Sequence, residues 1–433
     1  MLFSSQVSPM TDHVIVRRAR GPIDISVKPP GSKSITIRAL AAAALADGRS
    51  HLYGALAADD TLAMSRALRD FGISVEAEGE PWAVDGRGGH LNSSTAEIDV
   101  NESGLSARIL LMLAALSETS STITGRGRLL ERPIEPLVDV LSAQGVSVQT
   151  TDGYLPVTVN GQGGLWGGDI EVDCSKSSQF ATAVLIAAPV MTEPARIRLS
   201  GLVGSTGYLD TTVTVLEAFG ARVNRTITGF ETEPGGYTAT DYPIEPDASA
   251  AVYPMVGAAI TGGRVQIDGL DMTSSQPDML IATHLEAMGC RLAPVHGGLE
   301  VEGPESLSPI EADLSAAPDG ALGLAVACAF ADGPSHLTGL HSLRYKESDR
   351  LVAIAAELQK VGVDVEFDHE SLRIRPGLLG AARIDPHGDH RIAMAMALVG
   401  LRIEGIEVSN PGVVSKTWPK FWAFLDELSK NGT

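Results

Sequence analysis

Two kinds of apolar pattern alternate along the chain. Segments 34–45, 104–116, 177–191, 249–260, 320–330 and 391–401 are Ala-rich and apolar round most of a helical circumference. A helix without a broad polar face has to be buried on nearly every side, so these segments predict inner helices. A short stretch of β alternation follows, as in Arg196-Ile197-Arg198-Leu199 and Val265-Gln266-Ile267. Beyond a loop comes an amphipathic segment that closes on Leu-x-x-x-Gly. That pair recurs as Leu68/Gly72, Leu141/Gly145, Leu216/Gly220, Leu285/Gly289, Leu358/Gly362 and Leu428/Gly432, with the glycines 73, 75, 69, 73 and 70 residues apart. Leu then Gly is a common helix ending, because glycine adopts the left-handed C-cap conformation without strain. The constant spacing predicts a sixfold unit of helix, strand, loop, helix and two strands.

Three units per half predict an α/β protein of two domains, and 433 residues exceed what one core usually supports. Pro29-Pro30-Gly31 and the stretch 242–246 (Tyr-Pro-Ile-Glu-Pro) are the expected crossings between them. Domain II is then 31–245, and domain I is discontinuous, 1–30 plus 246–433. The composition, 44% hydrophobic and 20% charged, is that of an ordinary globular protein. A formal net charge of −20 argues against nucleic acid or an anionic membrane as partner, since both demand a basic face. Small anions remain possible wherever cations cluster. Cys174, Cys290 and Cys328 match neither a zinc nor a disulfide spacing, which fits a reducing compartment. Residues 1–19 lack an apolar signal core, and no apolar run approaches the ~20 residues that span a bilayer, so a cytoplasmic location is expected.

Polar residues recur at corresponding places in the units. One set opens the inner helices: Lys33, Ser34 and Arg38; Arg108; Ser177, Ser178 and Gln179; Asp319; His390 and Arg391. Helix N-termini present unpaired N–H groups and a positive dipole end, which suits anions. A second set lies in the loops after the short strands: Arg126, Arg128 and Arg132; Ser205 and Tyr208; Arg344, Lys346, Glu347 and Arg350; Lys416. If those loops converge, a cationic cleft forms in an acidic protein. Plainer readings stand beside these. Pro30 to Ser34 can be a turn with a serine N-cap, and it lacks the glycine spacing of a phosphate-binding P-loop. The run Lys346 to Arg350 can be a solvated helix start, Asp319 an N-cap, and Asp385 to Arg391 a metal site.

Taken in order, the motifs Pro-Gly-Ser-Lys-Ser at 30–34 with Arg38, Arg128 before Glu-Arg-Pro at 131–133, Ser-Ser-Gln at 177–179, Lys-Glu-Ser-Asp-Arg at 346–350, Asp-His-Arg at 389–391 and Lys416-Thr417 resemble the EPSP synthases over essentially the whole chain. The resemblance implies a fold of two domains, each of three βαβαββ units with buried inner helices, an inside-out α/β barrel. It also implies transfer of the enolpyruvyl group of phosphoenolpyruvate to shikimate 3-phosphate with no cofactor; no metal is expected, and a monomer is expected because each half can bury its own helices. Carried over, Lys33, Ser34, Arg38, Ser177, Ser178, Gln179, Ser205, Tyr208, Asp319 and Lys346 hold shikimate 3-phosphate. Lys33, Gly104, Arg128, Gln179, Arg350, Arg391 and Lys416 hold phosphoenolpyruvate. Asp319 is the implied base, Glu347 with Lys33 the implied acid, and His390 a residue that positions Arg391. One segment departs: the family's Asn-Ala-Gly-Thr-Ala-x-Arg-Pro reads Glu102-Ser103-Gly104-Leu105-Ser106-Ala107-Arg108-Ile109, and Ser342 replaces a frequent Asn. Three other readings are a paralogue using a related cyclic phosphate, a UDP-N-acetylglucosamine enolpyruvyl transferase and a non-catalytic anion-binding protein. The second commonly has a loop cysteine, which 125–132 lacks; the third would not need a base with an acid.

Overall fold

The computed structural model describes residues 12–92, 97–201 and 204–431. Gly432, which ends the sixth repeat, and the chain before residue 12 lie outside them. The α-helices run in order α1 (Lys33–Leu45), α2 (Asp59–Asp70), α3 (Gly104–Leu116), α4 (Glu135–Ala143), α5 (Gln179–Ala187), α6 (Gly207–Ala218), α7 (Ala248–Thr261), α8 (Leu280–Ala287), α9 (Ala321–Cys328), α10 (Arg350–Lys360), α11 (His390–Ala397) and α12 (Phe421–Lys430). The odd-numbered helices are the Ala-rich segments. Every residue of α3, α9 and α11 is buried, as is α1 from Ile35 onward. The even-numbered helices bury one face and lie outside. Segments 177–191 and 391–401 are shorter as α-helix than expected because their ends tighten into 3₁₀ turns, Ala188–Val190 and Leu398–Leu401.

Among the described residues six sheets cover these helices. In four of them the strand before an inner helix pairs in parallel with the strand after it, as Gly168–Asp173 does with Ala195–Ser200 around α5. The strand after the inner helix then pairs antiparallel with the far arm of the hairpin that follows the outer helix, as Ala195–Ser200 does with Gly229–Thr232. Among the described residues the sixth unit has no such hairpin. The strand before each inner helix is what the periodicity missed. Glu97–Asp99, Glu311–Asp313 and Ala382–Ile384 are three residues each, too short for alternation to register. Adding it turns the unit into βαβαββ.

Four strands come from distant sequence, Tyr237–Thr238 among them, which pairs in parallel with Ala46 and Asp47. Asp241–Pro243 pairs in parallel with Ala46–Tyr53, supplying the strand that α1 lacks before it. Asp24–Val27 does the same for Arg264–Asp268. His13–Ile15 pairs antiparallel with Ile406–Ser409 and fills the place of the absent last hairpin. Apolar side chains accordingly form two cores. One runs from Ile35 to Ile244; the other joins Val16 and Ile23 to residues from Ala248 to Leu428. The chain passes between them twice, side by side: Ser32 N–H donates to Glu245 O and Asp247 N–H to Pro30 O, each at 2.8 Å. No helix among the described residues is long and apolar enough to cross a membrane.

Candidate active site

A cavity between the two cores collects serines from one side and charge from the other. Ser34 and Arg38 of α1, Ser177, Ser178 and Gln179 at the start of α5, and Ser205 and Tyr208 at the start of α6 line it with Asp319 and Lys346. Nine of the ten residues assigned to shikimate 3-phosphate thus share one space. Cys174, Lys176, His341, Ser342 and Tyr345 also face it. Arg38 is 2% exposed, and its partners are all neutral: Thr212 Oγ1 at 2.8 Å, Ser34 O at 2.9 Å, Tyr208 O at 3.2 Å and Thr182 Oγ1 at 3.4 Å. Burial pushes its pKa down to about 10 against an opposing pull from Tyr208. A buried guanidinium without a counter-ion favours an anionic ligand. Tyr208 lines the cavity, but its hydroxyl donates to Asp278 Oδ2 at 2.8 Å.

The tenth residue, Lys33, turns aside. Its Nζ lies 3.3 Å from Asp60 Oδ2, and Lys416 Nζ lies 3.0 Å from Asp60 Oδ1. One carboxylate of α2, itself 3% exposed, bridges a lysine from each core. Lys416 also donates to Glu102 O at 2.9 Å, and its ammonium is 3.9 Å from the Glu102 carboxylate. The departing segment therefore touches the site twice, since Leu105 lines the cavity.

Asp319 and Glu347 sit where α9, α10 and α11 begin. Asp319 Oδ1 meets Arg350 Nη1 at 2.9 Å and Lys346 Nζ at 3.1 Å, while Oδ2 meets Arg391 Nη2 at 3.2 Å. It does not cap its helix; Gly320 takes that position. Glu347 Oε2 meets Arg350 Nη2 at 2.8 Å. Arg350 also donates through Nε to Asp389 Oδ2 at 2.7 Å, so this one guanidinium orders three carboxylates. Burial would raise both pKa values. For Asp319 it is outweighed by Lys346, Arg391 and Arg350, and for Glu347 by Arg350, Arg132, Lys33 and Lys416. Both carboxyls are held well below the usual range. The run Lys346 to Arg350 is thus an enclosed charge network, not a solvated helix start. His390 is fully buried, and burial, then Lys33 and Arg391, hold it well below the usual histidine range. It is neutral, and neither ring nitrogen has a hydrogen-bond partner among the described residues.

The structure separates the two arginines of the 127–133 turn. Arg128 is exposed, lines a separate cleft with Glu102, Glu131 and Glu347, and donates to Arg344 O at 3.3 Å. Arg132, absent from the carried-over set, is 5% exposed, with Nη2 at 3.5 Å from Gln179 Oε1 and Nη1 at 3.9 Å from Glu347 Oε1. The 3₁₀ turn Gly127–Glu131 is the reason: at about three residues per turn, side chains four apart point in different directions. Gly104 makes room, since a Cβ there would stand 2.3 Å from Arg132 Nη1. Arg108 ties the same helix start to this turn, donating to Gly104 O at 3.1 Å and Pro133 O at 2.9 Å. Among the described residues no group of three or more His, Cys, Asp or Glu side chains is placed to hold a metal ion. In the 385–391 segment, His387 instead pairs with Glu357 at 2.7 Å, and Asp389 accepts from Arg350.

The family model described as EPSP synthase (3-phosphoshikimate 1-carboxyvinyltransferase) matches residues 18–425. The chain belongs to the EPSP synthase family. A 3-phosphoshikimate 1-carboxyvinyltransferase of Methanosphaerula palustris is 40% identical over 411 residues, 94% of this chain and 97% of that protein. The EPSP synthase of Acinetobacter baumannii superposes with a TM-score of 0.81 at 27% identity, covering 98% of this chain and 99% of that one. The enolpyruvyl transferase NikO from Streptomyces tendae shares the fold, with a TM-score of 0.76 at 18% identity over 96% of this chain and 97% of its own. As a member of the EPSP synthase family the chain is a transferase that acts on small molecules. Asp60 and Asp278, which the motifs do not include, had one signal in the sequence: each stands at the start of an outer helix, where an acid is ordinarily read as favouring the helix dipole.

Proposed function

We propose that this chain transfers the enolpyruvyl group of phosphoenolpyruvate to the 5-hydroxyl of shikimate 3-phosphate, giving 5-enolpyruvylshikimate 3-phosphate and phosphate. The observation that carries the reading is Asp319, an ionised carboxylate held by Lys346, Arg350 and Arg391 that lines, with Lys346, a serine-walled cavity. In this reading Ser34, Arg38, Ser177, Ser178, Gln179, Ser205 and Lys346 hold shikimate 3-phosphate, with Tyr208 forming its wall. Arg132, Arg350, Arg391, Lys416, Lys33 and Gln179 hold phosphoenolpyruvate above Gly104, while Arg128 lines the separate cleft.

Asp319 accepts the hydroxyl proton as the oxygen attacks, a general-base step. Glu347, with Lys33, protonates the methylene carbon and makes its neighbour electrophilic. The tetrahedral adduct then returns a methyl proton to Glu347 as its C–O bond to phosphate breaks, which restores the methylene, and the charge of the departing phosphate meets cations already in place. Glu347 starts ionised, so a proton has to be supplied to it. Phosphoenolpyruvate supplies the means: its negative charges neutralise Arg132, Lys33 and Lys416, the cations that depress the Glu347 pKa. Binding thereby raises that carboxyl toward proton uptake and separates it from Asp319.

The two cores, meeting at 30–32 and 245–247, support reading them as domains that close on the substrates. The unit is taken as a monomer working in the cytoplasm without a cofactor. The deciding measurement is phosphate release with phosphoenolpyruvate plus shikimate 3-phosphate, beside UDP-N-acetylglucosamine as acceptor. Release with the first acceptor alone is expected; none with it would sink the assignment. Asp319→Ala and Glu347→Ala are expected to lose turnover by about 10²-fold or more while retaining substrate binding.

A further inference from the structure

Asp278 belongs to neither substrate set, yet it is 1% exposed and both its oxygens are engaged. It sits in the 3₁₀ turn Pro277–Met279 ahead of α8. Oδ1 accepts the N–H of Gly320, the residue between Asp319 and α9, at 2.9 Å. Oδ2 accepts the Tyr208 hydroxyl at 2.8 Å and the hydroxyl of Ser249, in the first turn of α7. Tyr208 belongs to the opposite core, so this carboxylate spans the cleft. The joint is close-packed: a Cβ on Gly207 would stand 2.6 Å from Pro277 Cβ, and one on Gly320 would stand 2.5 Å from Ile281 Cγ1. Thr211 Oγ1 also donates across it, to Ser275 O at 3.3 Å. The charged groups facing Asp278 are Asp319 and Arg391. Burial and then the Asp319 charge raise its pKa; Arg391, Ser249 and Tyr208 pull it back.

We infer that Asp278 is a positioning residue that makes the orientation of Asp319 depend on closure of the cleft around the acceptor. Closure brings the Tyr208 hydroxyl onto Oδ2. That fixes the carboxylate, and its other oxygen fixes the Gly320 peptide that carries Asp319. When the cleft opens, the Tyr208 arm is lost and the base is less constrained, which protects phosphoenolpyruvate from reaction before the acceptor is enclosed. The inference rests on Asp319 acting as the base.

Asp278→Asn keeps an oxygen for Gly320 but presents an amide to the two hydroxyls. Tyr208→Phe removes the arm across the cleft. Steady-state kinetics on each, on the double variant and on Asp319→Ala separate the possibilities. Asp278→Asn is expected to lower kcat about tenfold with a smaller change in KM for phosphoenolpyruvate. Tyr208→Phe alone should cost several-fold, and about twofold or less when Asp278→Asn is already present, since both cut the same link. Wild-type kcat in Asp278→Asn, or costs that multiply independently, overturns the inference; a purely structural role would lower Tm without that non-additivity. If Asp278→Asn does not fold, Ser249→Ala, which loosens the same carboxylate, replaces it in the cycle and is read the same way. Near-normal turnover in Asp319→Ala would remove the base assignment, whatever Asp278→Asn does.

Discussion

At the residue scale the site is a contest between desolvation and charge. Asp319 and Glu347 are enclosed, which alone would favour their neutral forms, but each faces several cations. Carboxyls whose folded pKa lies below the unfolded values of about 3.9 and 4.3 add stability that is complete above those values. It is lost as pH falls through the folded ones, so this cluster weakens the fold only in strong acid. For catalysis the same depression keeps the base ionised well below neutrality. Lys346→Met removes the ammonium 3.1 Å from Asp319 Oδ1 and lets burial count for more. The acid limb of kcat/KM for shikimate 3-phosphate is expected to move up by about a unit or more in that variant. The level falls as well, because a substrate contact is lost, but the shape of the pH profile decides. An unmoved limb would show that Asp319 does not govern it.

At the element scale, helix starts do the placing. Inner helices were legible because Ala-rich, apolar-all-round segments have nowhere to go but inside, and their polar first residues then have to face a cleft. Which side chain of a loop points inward was not legible. Arg128 and Arg132 have equal charge, one inside the 3₁₀ turn Gly127–Glu131 and the other at its end, and only the geometry of that turn separates them. Asp60 and Asp278 were hidden for a related reason: an acid at a helix start reads as a solvated dipole partner until packing encloses it. The three-residue strands escaped because alternation needs more positions than they have. Gly104 tests the Arg132 placement. In Gly104→Ala the new methyl would lie 2.3 Å from Arg132 Nη1 and push the guanidinium off the first turn of α3. KM for phosphoenolpyruvate is expected to rise about tenfold or more, with KM for shikimate 3-phosphate nearly unchanged. Arg132→Ala should cost about 10²-fold in kcat/KM for phosphoenolpyruvate and Arg128→Ala less than about tenfold. Equal losses in the two arginine variants would contradict their separate positions.

At the scale of the whole molecule, the chain closes one half on itself and leaves the other open. Residues 31–245 contain every strand of their three sheets, because Tyr237–Thr238 and Asp241–Pro243 return to Ala46–Tyr53. Residues 246–431 lack two strands, His13–Ile15 and Asp24–Val27, and the buried Val16 and Ile23 beside them. Without that segment the strands Arg264–Asp268 and Ile406–Ser409 would each present an unpaired edge, and α7 and α11 would lose apolar cover. Fragment 31–245 is therefore expected to fold alone with a cooperative thermal transition. Fragment 246–431 is expected to show none and to aggregate. The N-terminal segment should rescue it when attached behind residue 431, since Asp24 N–H already donates to Asn431 O at 3.3 Å and Asn410 N–H to Asp12 O at 3.2 Å. A flexible linker of about twenty residues, roughly 25 Å in mean span, gives residues 12–30 the reach to regain both edges. Circular dichroism melts of the three fragments decide. A cooperative transition in 246–431 alone would mean that the two N-terminal strands are ornaments on a finished core, and failure of the permuted fragment would mean that the half depends on its neighbour across the cleft.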